Sequence, residues 1–156
     1  MKKFFLLIAM LAISISMSAC ASDEESKELV ATFDGNECKW EGPTELPVGE
    51  HSILYINTAD YFAEFAVRKI IGERLTYQDL IDLQPAPGVS FPRPVGWLTD
   101  LRIVQLDWDE TRDAYIYTFS FDSSGEYFSR VYAKISSDEE GMWLCGPLTI
   151  VESSTE

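Results

Sequence analysis

The chain reads as an all-β protein, a two-sheet antiparallel β-sandwich with one short helix. Three observations predict this. Past residue 28 the apolar residues fall in short runs rich in Val, Ile, Tyr, Phe and Trp, the composition that fits a pleated, half-buried surface. Turn pairs such as Asp34-Gly35, Ser124-Gly125 and Glu140-Gly141 separate those runs. Only the stretch after Thr76 carries helical spacing.

Each element has its own signal. Leu29 to Phe33 alternates and stops at Asp34-Gly35, so Glu37 to Trp40 is expected as the second arm of a hairpin ending at Gly42-Pro43. Pro47-Val48-Gly49 is a turn, and Ser52 to Ile56 is a strand ending at Asn57. Phe62 to Ile71 is a further strand with Phe65 and Val67 on one face. Arg102 to Leu106, Ala114 to Phe121, Tyr127 to Ile135 and Met142 to Val151 bring the expected strands to eight. Thr76 caps the helix, with Asp79 in capping-box position. Tyr77, Leu80 and Ile81 share a face that should lie against a sheet, and the helix ends before Pro85.

Residues 85–96 hold four prolines and two glycines, which forbids central-strand pairing and favours a stiff extended loop. Such a loop either caps one end of the sandwich or binds a partner. In the binding role Phe91, Arg93 and Trp97 are the contact residues.

The first twenty residues have a different character. Lys2 and Lys3 precede an apolar run from Phe4 to Ile15, followed by Ser16-Met17-Ser18-Ala19-Cys20. A basic start, a short apolar stretch and small residues before a cut make an export signal. The run falls short of the roughly 20 residues that span a bilayer. Met17-Ser18-Ala19-Cys20 resembles a bacterial lipobox. The resemblance implies cleavage before Cys20, lipidation of that cysteine, and anchoring at the cell membrane or outer membrane. Each buried methylene stabilises insertion by about 0.8 kcal/mol, so two or more acyl chains hold firmly. Ala21 stands where an Asp would mark retention at an inner membrane. Ala19-Cys20-Ala21 also fits an A-x-A cut, which would give a plainly secreted protein. The chain divides into a signal peptide (1–19), a tether (20–28), a sandwich domain (29–152) and a tail (153–156).

Cleavage before Cys20 leaves 10 basic and 26 acidic residues. Such a surface repels nucleic-acid phosphate and anionic headgroups, so the membrane partner is reached through the lipid rather than through charge. Cys38 and Cys145 are the remaining cysteines. In an oxidising compartment two thiols pair, and a metal site would need more ligands than two sulfurs. Trp40 and Trp143, each two residues from a cysteine, are expected to pad the bridge, leaving Trp97 and Trp108 less constrained.

Pro47-Val-Gly49 with Ser52 to Asn57, Gly125-Glu-Tyr127 and Gly146 to Val151 resemble the early turn and strand, the Gly-x-Tyr step and the closing strand of cupredoxin-like domains. Trp143 to Pro147 and Cys38 to Pro43 are similar to segments of small secreted bacterial domains. The resemblance implies a sandwich of cupredoxin-like or immunoglobulin-like type. It does not carry copper. A blue-copper site needs two imidazoles and a thiolate, whereas this chain has one histidine, His51, and Val131 stands at the copper-cysteine position. Met142 alone matches an axial ligand. No cofactor or metal is therefore expected.

Other chemistry is thin. His51 and Ser52 are adjacent on a strand and point to opposite faces, so they cannot serve each other as base and nucleophile. Asp107, Asp109, Glu110 and Asp113 lack the glycine and glutamate of a calcium loop and read as a hairpin tip. A pair of catalytic carboxylates remains open, because 26 acids always leave some pair close. The expectation is a non-catalytic binding or accessory module of the cell envelope, with an envelope protein or a glycan as partner. The alternatives are a carbohydrate-binding module using exposed tryptophans and a small extracytoplasmic hydrolase.

Overall fold

A computed structural model describes residues 28–72, 75–84, 86–89, 98–136 and 140–152. Along the chain these form β1 (Leu29–Phe33), β2 (Cys38–Glu41), β3 (Glu45–Pro47), β4 (Gly49–Asn57), β5 (Ala63–Ile70), α1 (Tyr77–Leu83), β6 (Leu98–Asp100), β7 (Ile103–Asp109), β8 (Ala114–Phe121), β9 (Gly125–Lys134) and β10 (Glu140–Val151). They make the expected two-sheet sandwich. The first sheet has the order β2-β1-β4-β8-β7 and the second β3-β10-β9-β5-β6.

Two pairings differ from the all-antiparallel expectation. β1 runs parallel to β4, and β3 runs parallel to β10. The tight β1–β2 hairpin occupies one edge of β1. Asp34 Oδ1 accepts from the amides of Asn36 and Glu37 there, at 2.8 and 2.9 Å. The chain then crosses to the second sheet as β3 and returns through Val48, so β4 reaches the other edge of β1 in the parallel sense, the outcome a crossover permits. β3 and β6 are additional to the eight expected strands; three residues carry no alternation to read.

The space between the sheets is filled largely by aromatic rings. Phe33, Tyr55, Phe65, Phe119, Phe121 and Tyr127 are almost wholly buried. Tyr55 stacks on Phe65 at 5.2 Å, and Tyr117 stacks on Phe119 at 6.0 Å. The Tyr55 hydroxyl donates to the carbonyl of Ala63 at 3.3 Å, which satisfies a group that burial would otherwise penalise.

β10 shows how register directs chemistry. Trp143 and Cys145 face inward, and so do Leu148 and Ile150. Odd positions thus give way to even ones, and the change occurs at the bulge between Leu144 and Gly146. The extra residue is Cys145, which the bulge turns toward β2. Cys38 and Cys145 are joined as a disulfide, with Cα atoms 4.6 Å apart. The bridge ties an edge strand of the first sheet to the second sheet.

α1 lies on the outer side of the second sheet. Leu80, fully buried, meets Ile70, Phe128 and Met142 there. The capping box is complete: Asp79 N–H donates to Thr76 Oγ1, and Thr76 N–H donates to the Asp79 carboxylate at 2.7 Å. Ile81, expected on the packed face, is 42% exposed instead. A helix of seven residues offers one anchoring position, and Leu80 takes it. Past the helix, Gly88 N–H donates to the Met142 carbonyl at 3.1 Å, so this segment lines the part of the β10 edge that short β3 leaves free.

Candidate functional site

β7 borders the first sheet and, among the described residues, pairs only with β8. Its register sets Ile103 opposite Phe119, Leu106 opposite Tyr117 and Trp108 opposite Tyr115. Phe119 and Tyr117 point into the core, so these β7 side chains occupy the core-facing side of the sheet. They are nevertheless 41%, 51% and 46% exposed. The opposite sheet explains why. The disulfide holds the β2 margin over β10, the second strand of the opposite sheet, so by strand order the β7 margin has at most β6 as its cover, and β6 has three residues against seven in β7. β7 therefore overhangs its cover.

The overhang has two distinct faces. On the apolar side Trp108 packs edge-on against Tyr115, with ring centroids 4.7 Å apart. Val104 adds to the exposed apolar surface at the bulge between Ile103 and Gln105. On the other side Gln105 Nε2 donates to Asp107 Oδ2 at 2.7 Å. No strand pairs with the far edge of β7 among the described residues, so alternate backbone N–H and C=O groups there have no ladder partner.

The β7–β8 turn is held by charge. Asp109 Oδ1 accepts from the Thr111 amide at 2.9 Å, and Oδ2 accepts from Arg112 Nε at 2.6 Å. The Arg112 guanidinium, foremost among these donors, holds the Asp109 carboxyl below the usual range. Arg112 Nη1 also reaches Glu28 Oε1 at 2.6 Å. Glu28 precedes β1, so this ion pair links the start of β1 to the β7–β8 turn. Leu54 lies on the outer side of the first sheet, only 4% exposed, with Val30 and Ile116 as its register neighbours. The acidic cluster of residues 107–113 is thus the end of a strand and a hairpin tip.

Other residues singled out in the sequence do not converge. His51 Nε2 lies 2.7 Å from the Pro47 carbonyl, while Ser52 Oγ pairs with Thr118 Oγ1 at 2.8 Å on the opposite face. Val131 is wholly buried between the sheets, whereas Met142 joins the cluster under α1. Among the described residues no three His, Cys, Asp or Glu side chains gather as a metal site. Asp34 and Asp79 are held low, each chiefly by a backbone N–H that it accepts from, the reverse of what a general acid needs.

Cys20, Phe91, Arg93 and Trp97 lie outside the described residues, as do the signal segment and the tail. Trp40 packs over Gly146, next to Cys145, and its Nε1 donates to the Pro43 carbonyl at 3.3 Å. Trp143 is buried against Phe33, whose register partner is Cys38. Trp108 is the exposed tryptophan among the described residues. The alternation from Ile103 to Asp109 looks in sequence like an ordinary half-buried strand, and only the length of β6 reveals it as uncovered. No protein-family model, curated protein or solved structure matches this chain.

Proposed function

We propose that the chain is an exported, lipid-anchored, non-catalytic binding module of the cell envelope, built on a cupredoxin-like scaffold without copper ligands, and that it docks its partner on the β7 margin. The observation that carries the reading is the exposed apolar strip of Ile103, Leu106 and Trp108 on the core-facing side of a sheet. Contiguous apolar surface of this kind on a sandwich locked by a disulfide serves interaction better than solubility. The lipobox-like Met17-Ser18-Ala19-Cys20 supports the anchor.

Two measurements test the proposal. Mass spectrometry of the mature N-terminus should find an acylated Cys20; a lipid-free start at Ser22 would remove the anchor. A photo-crosslinking residue at Leu106 should trap an envelope component in intact cells, whereas one at exposed Glu126 on β9 should not. Adducts at neither position, or equally at both, would overturn the docking assignment.

A second reading is favoured by Trp108 alone. An exposed indole can stack on a sugar ring, which makes the margin a glycan site. A glycan array combined with quenching of Trp108 fluorescence separates the two readings, because a protein partner gives no sugar signal.

A further inference from the structure

We infer that the free edge of β7 takes up an extended basic peptide as a sixth strand of the first sheet, its residues alternating apolar and cationic. The inference rests on the binding-module reading and names the partner. Edge strands are usually blunted by shortness, proline, charged side chains (lysine above all) or a bulge. β3 and β6 have three residues each, and β2 has four, one of them Lys39. β7 has seven residues and neither proline nor lysine; its bulge lies at its start, between Ile103 and Gln105, and its charges, Asp107 and Asp109, are acids that repel another acidic edge but not a cationic strand. From Gln105 to Asp109 it keeps, among the described residues, an open row of backbone donors and acceptors, the feature that strand addition uses.

The two faces of β7 set the pattern of the added strand. Successive side chains of a strand point to opposite faces. One set would lie beside Leu106 and Trp108, which calls for apolar residues. The other set would lie beside Gln105 and Asp107. From Asp100 to Asp113 the chain has five acids and two arginines. Arg112 is held by Asp109 and Glu28, and Asp100 pairs with Arg68. No cation bonds to Asp107, Glu110 or Asp113 among the described residues. Arg102 stands at the far end of the strand. The peptide's cations therefore gather toward the β7–β8 turn. A second copy of the chain would bring its own acids to the same edge and a like net charge, which opposes its approach.

The test uses the purified full chain and a fluorescent nine-residue peptide alternating valine and lysine. Its controls are an isomer with the valines and lysines in two blocks and a valine–glutamate counterpart. The alternating peptide should bind at least about tenfold more tightly than either control. It should slow amide exchange within residues 103–109, the signature of new ladder hydrogen bonds. The paired change Leu106→Ser and Trp108→Ser should weaken binding, and so should Asp107→Asn, an exposed substitution that leaves the apolar side intact. Equal binding of the block isomer would overturn the inference, as would protection confined to other strands. Light scattering that finds a dimer of the chain alone, with residues 103–109 protected, would assign the edge to a second copy. Crosslinks at Leu106 without peptide binding would overturn strand addition while leaving the binding-module reading in place; loss of both would remove that reading too.

Discussion

Gly141 lies beneath the indole of Trp143, so close that a methyl group on Gly141 would overlap the far edge of that ring. The two residues share one face of β10, and the ring leans over its own strand to reach Phe33, 4.7 Å away between centroids. Gly88, at φ +81°, packs against the same indole. Gly141→Ala should therefore destabilise the fold by about 1–3 kcal/mol, the range for overpacking a filled core. Urea unfolding gives the magnitude, and a changed near-ultraviolet dichroism band would report the displaced ring.

The Cys38–Cys145 bridge closes a loop with a sequence separation of 107. Chain-entropy reasoning gives about 4.7 kcal/mol for a loop near 100 residues, and removal of a native bridge typically costs about 2–5 kcal/mol. The double change Cys38→Ala and Cys145→Ala should lower stability within that range. Denaturation of the parent with and without reductant should show a matching difference. Coincident midpoints would contradict the prediction.

Three core-lining tyrosines should limit stability in alkali. Burial pushes Tyr77 up to about 12, and burial foremost also raises Tyr55 and Tyr117. An unfolded tyrosine ionises near pH 10, at about its reference value. Above that pH the folded chain holds more protons than the unfolded one. Stability from these groups is thus complete below pH 10 and is lost as pH rises through the folded values. Absorbance at alkaline pH should show part of the tyrosine titrating late, together with unfolding. Smooth titration of every tyrosine near pH 10 in folded protein would refute this.

The helix cap predicts behaviour at the acid end. Asp79 is held below 3.8, mainly by the Thr76 backbone N–H and then by its hydroxyl. Its contribution is present above the unfolded carboxyl value and is lost as pH falls through the folded one. Thr76→Ala should cost about 1 kcal/mol at neutral pH, as an N-cap substitution does. It should leave part of the acid sensitivity, because the backbone contact survives. Asp79→Asn should flatten that acid dependence further. Thermal melts at stepped pH check both variants.

Leu106→Ser should leave the folded domain almost unchanged, and Trp108→Ala should cost no more than about 0.5–1.5 kcal/mol, the range for its edge-on pair with Tyr115. Both side chains are about half exposed, and surface substitutions usually stay within about 0.5 kcal/mol. A loss of several kcal/mol in either variant would show that the margin is structural.

The sequence declared those strands whose own residues encode them. β1 with its Asp34-Gly35 turn, β8 and the Thr76–Asp79 box of α1 were legible because each signal is local. β3 and β6 were not, since three residues leave no period to detect and their pairing depends on distant partners. The parallel β1–β4 pair was hidden for a related reason: it follows from the route of the chain through β3, not from the composition of either strand. The β7 margin was half legible. Its alternation can be read, but whether that face is covered depends on β6, which lies before it in the chain and in the other sheet. Cys145 shows the same gap, because pairing could be expected from compartment chemistry while the bulge that aims it could not.

The covalent link between β2 and β10 also determines how the molecule meets mechanical load and proteases. Under tension applied outside Cys38 and Cys145, the long segment between them would stay shielded from the load. A single protease cut inside that segment would leave two fragments still joined, separable only after reduction.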